Sequence, residues 1–265
     1  MDEITLKNIQ NKEFEILLEF KRICEKYDIH YSLYRGTMLG SVKYKGFIPW
    51  DDDMDVIMLE EDYKRFLSVV DEELDNERFF FQNSDRENNF DIPFCNKIRF
   101  NGTKLVEEAL KDKEIHHGVW MDIFVLYNYD GEEEKLDRFR KHFKIWKSKY
   151  RFKSEFKKKN FKGKIISLFY ELIPPFCVKK WFEKIKKEKE ALGNDQSDYL
   201  VELFHNRGDI VKKSDISYTE LKFNGRLFKV FSYYDPILKM LYGENYMNEE
   251  PDDKISPHEF CEVEV

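Results

Sequence analysis

Four aspartates lie within five residues in the segment IPWDDDMDVIM, residues 48–58, and an apolar run follows them directly. The end of this segment, DMDVIML in residues 53–59, has the length and composition of a buried β-strand. Carboxylates are rarely buried, because their removal from water costs several kcal/mol unless they are paired or bind a cation. The segment therefore requires a fold in which a buried strand carries acids into a site that supplies positive charge.

Strand geometry predicts which of these acids converge. Side chains alternate faces along a strand, so Asp53 and Asp55 share a face, with attachment points about 6.6 to 6.8 Å apart. Asp51 has the same parity if the strand extends back, whereas Asp52 and Met54 would face the opposite side. A hard divalent cation such as Mg²⁺, or Mn²⁺, takes oxygen ligands and leaves positions free for phosphates. Asp53 and Asp55 are therefore predicted metal ligands and catalytic residues.

A third acid has the same character. Asp122 is the one charged residue in the apolar segment GVWMDIFVL, residues 118–126. A solvated surface acid does not suit such a strand, so Asp122 is predicted to face the same metal site. An acidic turn that caps a helix is the structural alternative for residues 51–53, and Asp122 counts against it.

A glycine turn precedes the acids in RGTMLG, residues 35–40. Gly36 permits a close backbone approach, Thr37 offers a hydroxyl, and a short helix that begins here would direct its N–H groups at an anion. A Gly-Thr turn alone is a weak signal. Because D-x-D follows about 15 residues later, Gly36, Thr37 and Asp51 are predicted to bind a phosphate-bearing substrate.

The order of predicted elements indicates an α/β (α+β) chain with a mixed sheet. Residues 1–134 are predicted to form a catalytic core, residues 135–190 a basic helical insertion, and residues 191–265 a hairpin, helix and tail that complete the site. The first helix is predicted over residues 4–27. Asn101-Gly102 and Asn224-Gly225 are each typical of a β-hairpin turn.

Charge is distributed unevenly along the chain. Residues 135–190 hold 20 Lys and Arg against 6 Asp and Glu, although the whole chain has a net charge of −7. The basic stretch suits an anionic glycan or the inner membrane leaflet, and an ordinary helical lid with solvated lysines is the alternative. Nucleic acid is not expected as a partner, because the remainder is acidic and has no recognition motif. Without a signal peptide or a long apolar run, a cytoplasmic location is expected, with peripheral membrane contact at the cytoplasmic face.

The string RGTMLGSVKYKGFIPWDDDMDVIM resembles the LicD family of the nucleotidyltransferase superfamily, and the likeness continues in DYKRF, NKIRFNGTK, GVWMDIFVL, YYDPILKMLYGENYM and SPHEF. The resemblance implies a nucleotidyltransferase-like core and metal-assisted phosphoryl transfer. In the best-known members, a CDP-linked donor, CDP-choline, gives its phosphocholine to a sugar hydroxyl of a glycan or lipid-linked glycan, and CMP leaves. Teichoic acid, capsule and lipopolysaccharide are the acceptor classes that it implies.

Further site residues follow from the resemblance and from chemistry. Lys97 lies where the family keeps a basic residue, and Arg99 has the same parity. His258 lies where the family keeps a histidine; it and Asp122 are alternative bases for the acceptor hydroxyl. Lys43 or Lys45 is suited to donor phosphates. Aromatic faces bind quaternary ammonium groups, and the candidates for a choline cage are Trp50, Tyr34, Trp120, Tyr233 and Tyr234.

Three rival functions stay open at this point. Within the family, the donor could carry glycerol or ribitol phosphate instead of phosphocholine. A glycosyltransferase also uses D-x-D, but such enzymes usually build about a hundred residues of nucleotide-binding fold before that motif, and here the motif begins at Asp53. A binding module without activity would have no need to keep Asp53, Asp55 and Asp122 together.

Overall fold

The computed structural model describes residues 1–87, 89–90, 92–159, 174–205, 210–250 and 258–265, with side chains except at 148–159 and 175. The predicted insertion, residues 135–190, therefore lies partly outside the described residues. The described helices are α1 (Glu3–Lys26), α2 (Arg35–Lys43), α3 (Glu60–Glu73), α4 (Glu133–Lys159), α5 (Pro175–Glu190) and α6 (Tyr234–Tyr242). The strands are β1 (Ser32–Leu33), β2 (Asp55–Leu59), β3 (Phe79–Gln82), β4 (Lys97–Phe100), β5 (Lys104–Glu107), β6 (Trp120–Tyr129), β7 (Tyr199–Glu202), β8 (Ile210–Lys212), β9 (Tyr218–Phe223), β10 (Arg226–Phe231) and β11 (Phe260–Glu264).

The mixed sheet confirms the predicted α+β class. Its centre is a parallel pair, β2 and β6, and its other pairs are antiparallel. The long strand β6 is shared: its first residues pair with β4 and its last residues pair with β7. The parallel register sets Asp55 opposite Asp122, and the antiparallel register sets Asp122 opposite Lys97. One row across the sheet therefore carries three charged residues that lie far apart in the sequence.

Helix α1 lies against this sheet and contacts β4, β6 and α3. It begins at the N-cap Asp2, whose carboxylate accepts a hydrogen bond of 2.8 Å from the Thr5 N–H, and this satisfies one of the free donors at a helix start. Its buried apolar side chains recur at helical spacing: Ile9, Ile16, Leu17, Phe20 and Ile23. Full burial of each contributes roughly 1.5–3 kcal/mol, so α1 is held mainly by its inner face.

The two predicted hairpins have different outcomes. Strands β9 and β10 pair across Asn224-Gly225, and both turn residues have positive φ, as a tight hairpin turn requires. The hairpin predicted at Asn101-Gly102 is wrong. The chain does turn there, with Gly102 at φ +74°, but β4 pairs with β3 and β6 while β5 pairs with β11. Both edges of β4 are already taken, so β5 leaves the main sheet and takes a partner from the end of the chain.

Helices α4 and α5 contact each other beside the sheet. Trp146, fully buried, packs against Trp181 and Phe182, with ring centres 5.6 and 5.7 Å away. Pro175 begins α5, where the missing N–H of proline costs no hydrogen bond. Among the helices that the structure describes, none combines the length and the apolar composition needed to cross a bilayer.

Candidate active site

Residues 48–51, which lead into the acids, are anchored to the first two helices. The side-chain amide of Gln10 on α1 donates to the carbonyl oxygens of Ile48 and Asp51, at 3.3 and 3.0 Å. On the other side, a Cβ built on Gly36 of α2 would lie 2.6 Å from Asp51 Oδ2. Any side chain at position 36 would therefore displace this carboxylate. The neighbour of Gly36 in this structure is the Asp51 carboxylate, and phosphate binding at Gly36 stays a prediction.

The start of β2 is clamped by residues of the glycine turn. The Asp55 N–H donates to Thr37 Oγ1 at 2.8 Å, and the Tyr34 N–H donates to the Asp55 carbonyl at 3.0 Å. Both main-chain groups of Asp55 are thus fixed, and its carboxylate is held in a buried position. Thr37, predicted as a substrate ligand, is itself buried, and its hydroxyl oxygen orients Asp55.

Residues 51–53 precede β2 and have no regular secondary structure, so strand alternation does not govern them. Asp51, Asp52 and Asp53 each offer a carboxylate oxygen, and these oxygens lie within 4.8 Å of one another. The expectation that Asp52 faces away from its neighbours is therefore wrong. Burial, the charge of Asp53 and a hydrogen bond between the two carboxyls raise the pKa of Asp51 to about 9, which fits a proton shared by two acids.

The acids at the start of β2 lie in a region of surplus negative charge. Burial is the main cause that raises the pKa of Asp53, with Asp52 and Asp122 adding to the effect. Burial also raises the pKa of Asp55 well above its usual value, followed by the charges of Asp53, Asp122 and Asp51. Five carboxylates influence one another here, and a divalent cation would reduce the repulsion between them.

Asp122 is already paired. Lys97 Nζ lies 2.8 Å from both of its carboxylate oxygens, and the indole N–H of Trp120 donates to Oδ2 at 2.8 Å. The Lys97 ammonium also lies 4.4 Å from the centre of the Trp120 ring. Lys97 is buried, and burial lowers its pKa. The charge of Asp122 outweighs this effect, so the pKa of Lys97 is raised overall. The predicted basic residue therefore lies in the site, where it neutralises one acid of the cluster.

His258 joins the site from the end of the chain. Its Nδ1 lies 2.9 Å from Oδ1 of Asp52, which is fully buried, and its ring is 5.7 Å from that of Trp120. Burial lowers the pKa of His258, but the hydrogen bond to Asp52 and the charge of Asp53 outweigh this and raise the pKa to about 9. With the acids uncompensated, His258 is therefore an imidazolium at neutral pH.

The predicted phosphate and choline residues lie along the outer side of the connection between α2 and the acids. Lys43 Nζ donates to the Glu249 carbonyl at 2.7 Å, so it is tied to the C-terminal part of the chain. Lys45 is exposed and donates to the Val42 carbonyl of its own turn at 2.9 Å. Trp50 packs edge-on against Tyr44, with ring centres 6.2 Å apart, and Tyr44 donates to Glu250 at 2.9 Å.

The other aromatic candidates are divided between the site and the core. Trp120 borders the site through Asp122 and His258. Tyr34 is buried, 5.5 Å from Phe124 in the core. Tyr233 stacks on Phe231 of the β9–β10 hairpin, and Tyr234, the first residue of α6, is partly buried against the core.

Three residues near the acids are not predicted by the sequence reasoning. Glu13 of α1 is fully buried, and neither carboxyl oxygen has a hydrogen-bond partner among the described residues. Burial, then the charges of Asp53 and Asp51, raise its pKa well above the usual value. The other two of these three residues are Arg35 of α2 and Tyr242 of α6. Glu13 had a detectable signal, since it lies four residues after Ile9 and three before Ile16 on the inner face of α1.

The donor set suits a hard divalent cation. Every candidate ligand is a carboxylate, three of them converge within 4.8 Å, and the buried carboxyl of Glu13 has no hydrogen-bond partner among the described residues. Asp51, Asp53 and Asp55 have the raised pKa values expected where a cation belongs. The arrangement is capable of binding a metal with a phosphate ester and of placing an imidazole beside them.

Comparisons with known proteins identify the family of this chain. The sequence model of the LicD/FKTN/FKRP nucleotidyltransferase domain family matches residues 28–167. The chain is 29% identical over 284 aligned positions, covering 100% of both chains, to the lipopolysaccharide cholinephosphotransferase LicD of Haemophilus influenzae. An uncharacterized protein of Rickettsia typhi is 32% identical over 57 residues, 22% of this chain and 18% of that protein. The matched segment of the family model contains the glycine turn, the aspartates at 51–55 and Asp122.

Proposed function

Because the chain belongs to the LicD/FKTN/FKRP nucleotidyltransferase domain family, we propose that it is a phosphotransferase that moves phosphocholine from CDP-choline to a sugar hydroxyl of a cell-surface glycan and releases CMP. The full-length similarity to a lipopolysaccharide cholinephosphotransferase supports phosphocholine as the group transferred. The observation that carries the proposal is the convergence of buried aspartates whose pKa values are raised together. Lipopolysaccharide, teichoic acid and capsule are the candidate acceptors.

The reaction is one displacement at phosphorus. The acceptor hydroxyl oxygen forms a bond to the choline-bearing phosphorus, and the bond from that phosphorus to the bridging oxygen of CMP breaks. The bonding electrons leave with CMP, and the hydroxyl proton passes to a base. Catalysis of this kind depends on positioning and on stabilisation of charge, since the protein itself forms no covalent bond.

Asp53 and Asp55 are the proposed ligands of Mg²⁺ or Mn²⁺, and Asp51 joins them because its oxygen lies beside that of Asp53. When bound, the metal would supply a Lewis acid for the donor phosphates. Asp122 is the proposed third ligand, and in this structure it also accepts from Lys97 and Trp120. Thr37 and Gly36 keep Asp55 and Asp51 in place.

The Asp52–His258 pair is proposed to receive the acceptor proton. Asp52 orients the ring through Nδ1, which leaves Nε2 as the nitrogen for proton transfer. With a pKa of about 9, His258 is protonated at neutral pH while the acids are uncompensated. A cation on Asp51 and Asp53 would lower that pKa, because positive charge nearby favours the neutral ring. Metal binding would therefore prepare His258 as a base.

The trimethylammonium end of the donor is proposed to bind near Trp50. The edge-on pair of Trp50 and Tyr44, with the Glu250 carboxylate on the Tyr44 hydroxyl, offers aromatic faces and a negative charge. Both features attract a quaternary ammonium group, whereas glycerol and ribitol phosphate have no cation for them to bind. This surface favours choline over the other phospho-alcohols.

The acceptor is proposed to bind between α4 and α5. A groove of about 940 Å³ is lined there mainly by basic side chains: Arg138, Lys179, Lys180, Lys184 and Lys187, with Glu183 and Glu188. Anionic glycans are the polymers that such a surface attracts. We place the enzyme at the cytoplasmic face of the membrane, in peripheral contact with its anionic lipids.

The test is CMP release from a panel of CDP-choline, CDP-glycerol and CDP-ribitol, with and without Mg²⁺ and each candidate glycan. We expect release from CDP-choline that requires both the metal and an acceptor. Release of CMP from CDP-glycerol or CDP-ribitol alone would mean that the enzyme transfers that phospho-alcohol instead. Turnover of sugar nucleotides without any CDP-alcohol activity would replace it with glycosyl transfer.

A further inference from the structure

Arg35 begins helix α2 in a conformation that its side chain does not favour. Its φ is +43°, in the left-handed region where a residue other than glycine, asparagine or aspartate has a cost of roughly 1–2 kcal/mol. The next residue is Gly36, and glycine adopts positive φ without strain. The positive φ nevertheless falls on Arg35. Strain of this size persists where the surrounding structure imposes it, which is often at binding sites.

The guanidinium of Arg35 has no ion pair or hydrogen bond among the residues that the structure describes, and its buried Nε has no acceptor. Its one described contact is the ring of Tyr34, whose centre lies 5.2 Å from the guanidinium carbon. Arginine rarely stays unpaired when half-buried, because its five donors lose water without gaining acceptors.

Arg35 lies between two residues that contact the aspartates. The Tyr34 N–H donates to the Asp55 carbonyl at 3.0 Å, and a Cβ built on Gly36 would lie 2.6 Å from Asp51 Oδ2. Burial and three neighbouring aspartates raise the pKa of Asp55, and the positive charge of Arg35 opposes that rise. Tyr242 of α6 is affected in the same way: burial, then Asp55 and Asp51, raise the pKa of its phenol, and Arg35 opposes this.

We propose that Arg35 binds the phosphates of the diphosphate donor, opposite the metal-binding aspartates. The proposal rests on the proposed function for the identity of the donor, but its chemistry requires only a phosphate ester. Arginine binds phosphate oxygens through two parallel N–H donors, and Arg35 has these donors available beside the carboxylates that would hold the cation. An anion between Arg35 and a metal on Asp51, Asp53 and Asp55 would be balanced by charge on both sides.

The backbone strain provides a test that separates binding from structure. Asparagine tolerates positive φ, so Arg35→Asn removes the strain together with the guanidinium. Lys45 is the matched control, since it is a basic residue at φ +59° whose ammonium donates to Val42. A structural role for Arg35 predicts a lower Tm in Arg35→Asn. A phosphate-binding role predicts a Tm that is equal or higher, as in Lys45→Asn.

The experiment is calorimetric titration with inorganic pyrophosphate and with CDP-choline, each with Mg²⁺, together with thermal melts. Arg35→Ala and Arg35→Asn are expected to weaken binding of both probes at least tenfold, with partial recovery in Arg35→Lys and no change in Lys7→Asn, which alters an exposed lysine of α1. If wild type binds pyrophosphate but not CDP-choline, the proposed function fails and the pyrophosphate titration still decides the role of Arg35. Wild-type affinity in Arg35→Asn, failure of that variant to fold, or absence of pyrophosphate binding in wild type would each overturn the inference.

Discussion

Asp55 begins strand β2 and Glu60 follows its last residue, yet these two buried carboxylates have opposite surroundings. Glu60 accepts from Lys189 at 2.6 Å and from both the main-chain and side-chain N–H groups of Asn128. Burial alone would raise the pKa of Glu60, but these partners reverse the effect and lower it. Asp55 has other carboxylates around it, and its pKa rises.

The difference separates structural acids from site acids. At the Glu60 end, the chain supplies the compensating charge itself, which is the usual condition for burying a carboxylate. At the Asp55 end, the described residues leave the pKa of Asp55 raised, and the proposed metal ion would supply the missing positive charge. The acids at the two ends of β2 therefore differ in how their charge is compensated. This difference predicts that replacing each acid by its neutral amide will affect stability and activity differently.

The largest effect is expected at the Asp55 end. Asp53→Asn or Asp55→Asn should lower transfer by roughly a thousandfold, because a metal ion contributes several kcal/mol of charge stabilisation to phosphoryl transfer. The Tm should stay level or rise, since each change removes a repelling charge. CMP-release assays with thermal melts measure both, and turnover near wild type, or full activity in EDTA, would contradict this assignment.

Glu60→Gln should have the reverse effect. It leaves the Lys189 ammonium without its carboxylate, and the cost is about 2–3 kcal/mol because Lys189 keeps part of its surface in water. A fall in Tm of roughly 4–12 °C is expected for a chain of this size, with kcat retained in the folded protein. A variant that has the Tm of wild type but has lost its activity would place Glu60 in the active site. That result would contradict the contrast between Glu60 and Asp55.

Glu13→Gln should stabilise the protein in a pH-dependent way. The folded-state pKa of Glu13 lies above its usual value of 4.5, so the folded protein holds an extra proton and loses stability as pH rises from that value towards the folded pKa. Glutamine removes this loss. We expect a Tm gain of at least about 2 °C at pH 8, a smaller gain at pH 5, and reduction of the pH 8 gain by Mg²⁺.

The opposite result at Glu13 is informative. A gain equal at pH 5 and pH 8 would mean that Glu13 is ionised in the folded protein throughout this range, so that its pKa is not raised above the usual value. A loss at both values would mean that Glu13 has a partner that the substitution breaks. Glu13→Asp, which keeps the charge and shortens the side chain, is the matched control for packing.

The smallest effect concerns the groove between α4 and α5, where basic residues outnumber acids and the surplus charge is positive. Lys179→Glu with Lys180→Glu should raise the KM for a polymeric acceptor severalfold and leave the donor KM unchanged. The effect should shrink at higher salt, because the screening length falls below about 10 Å above 0.1 M. Lys7→Glu with Lys222→Glu, which changes two other exposed lysines, should behave like wild type, and equal effects in both pairs would refute a specific acceptor surface.

The parts of the site that lie on regular elements follow from the sequence. Alternation along β6 and the start of β2 brings Asp55 and Asp122 together, and both lie in the predicted strands. The same rule fails at Asp52, because residues 51–53 have no regular structure. Gln10 fixes the Asp51 carbonyl, and the Asp51 carboxylate lies against Gly36. Contacts of this kind depend on tertiary packing, which periodicity does not report.

Other residues could not be assigned because their partners lie far away in the chain. Lys43 is the type of residue that binds phosphate, but the Glu249 carbonyl takes its ammonium. Asn101-Gly102 forms its turn, but the pairing of the strands beside it was decided by β3, β6 and β11. Glu13 is the exception, since helical spacing places it on the inner face of α1, and a charge at such a position is a signal that the sequence does contain.

The hydrogen bond between Asp52 and His258 has a consequence for the order in which the chain folds. It joins residues 206 positions apart, as does the bond from Lys43 to Glu249, whereas Thr37 and Asp55 are separated by 18. Closing the longer loop costs about 2 kcal/mol more in chain entropy. The central strands and the glycine turn can therefore form before the imidazole reaches the acids. In denaturant we expect the C-terminal contacts to open first, so that catalytic competence is lost while the sheet is still intact.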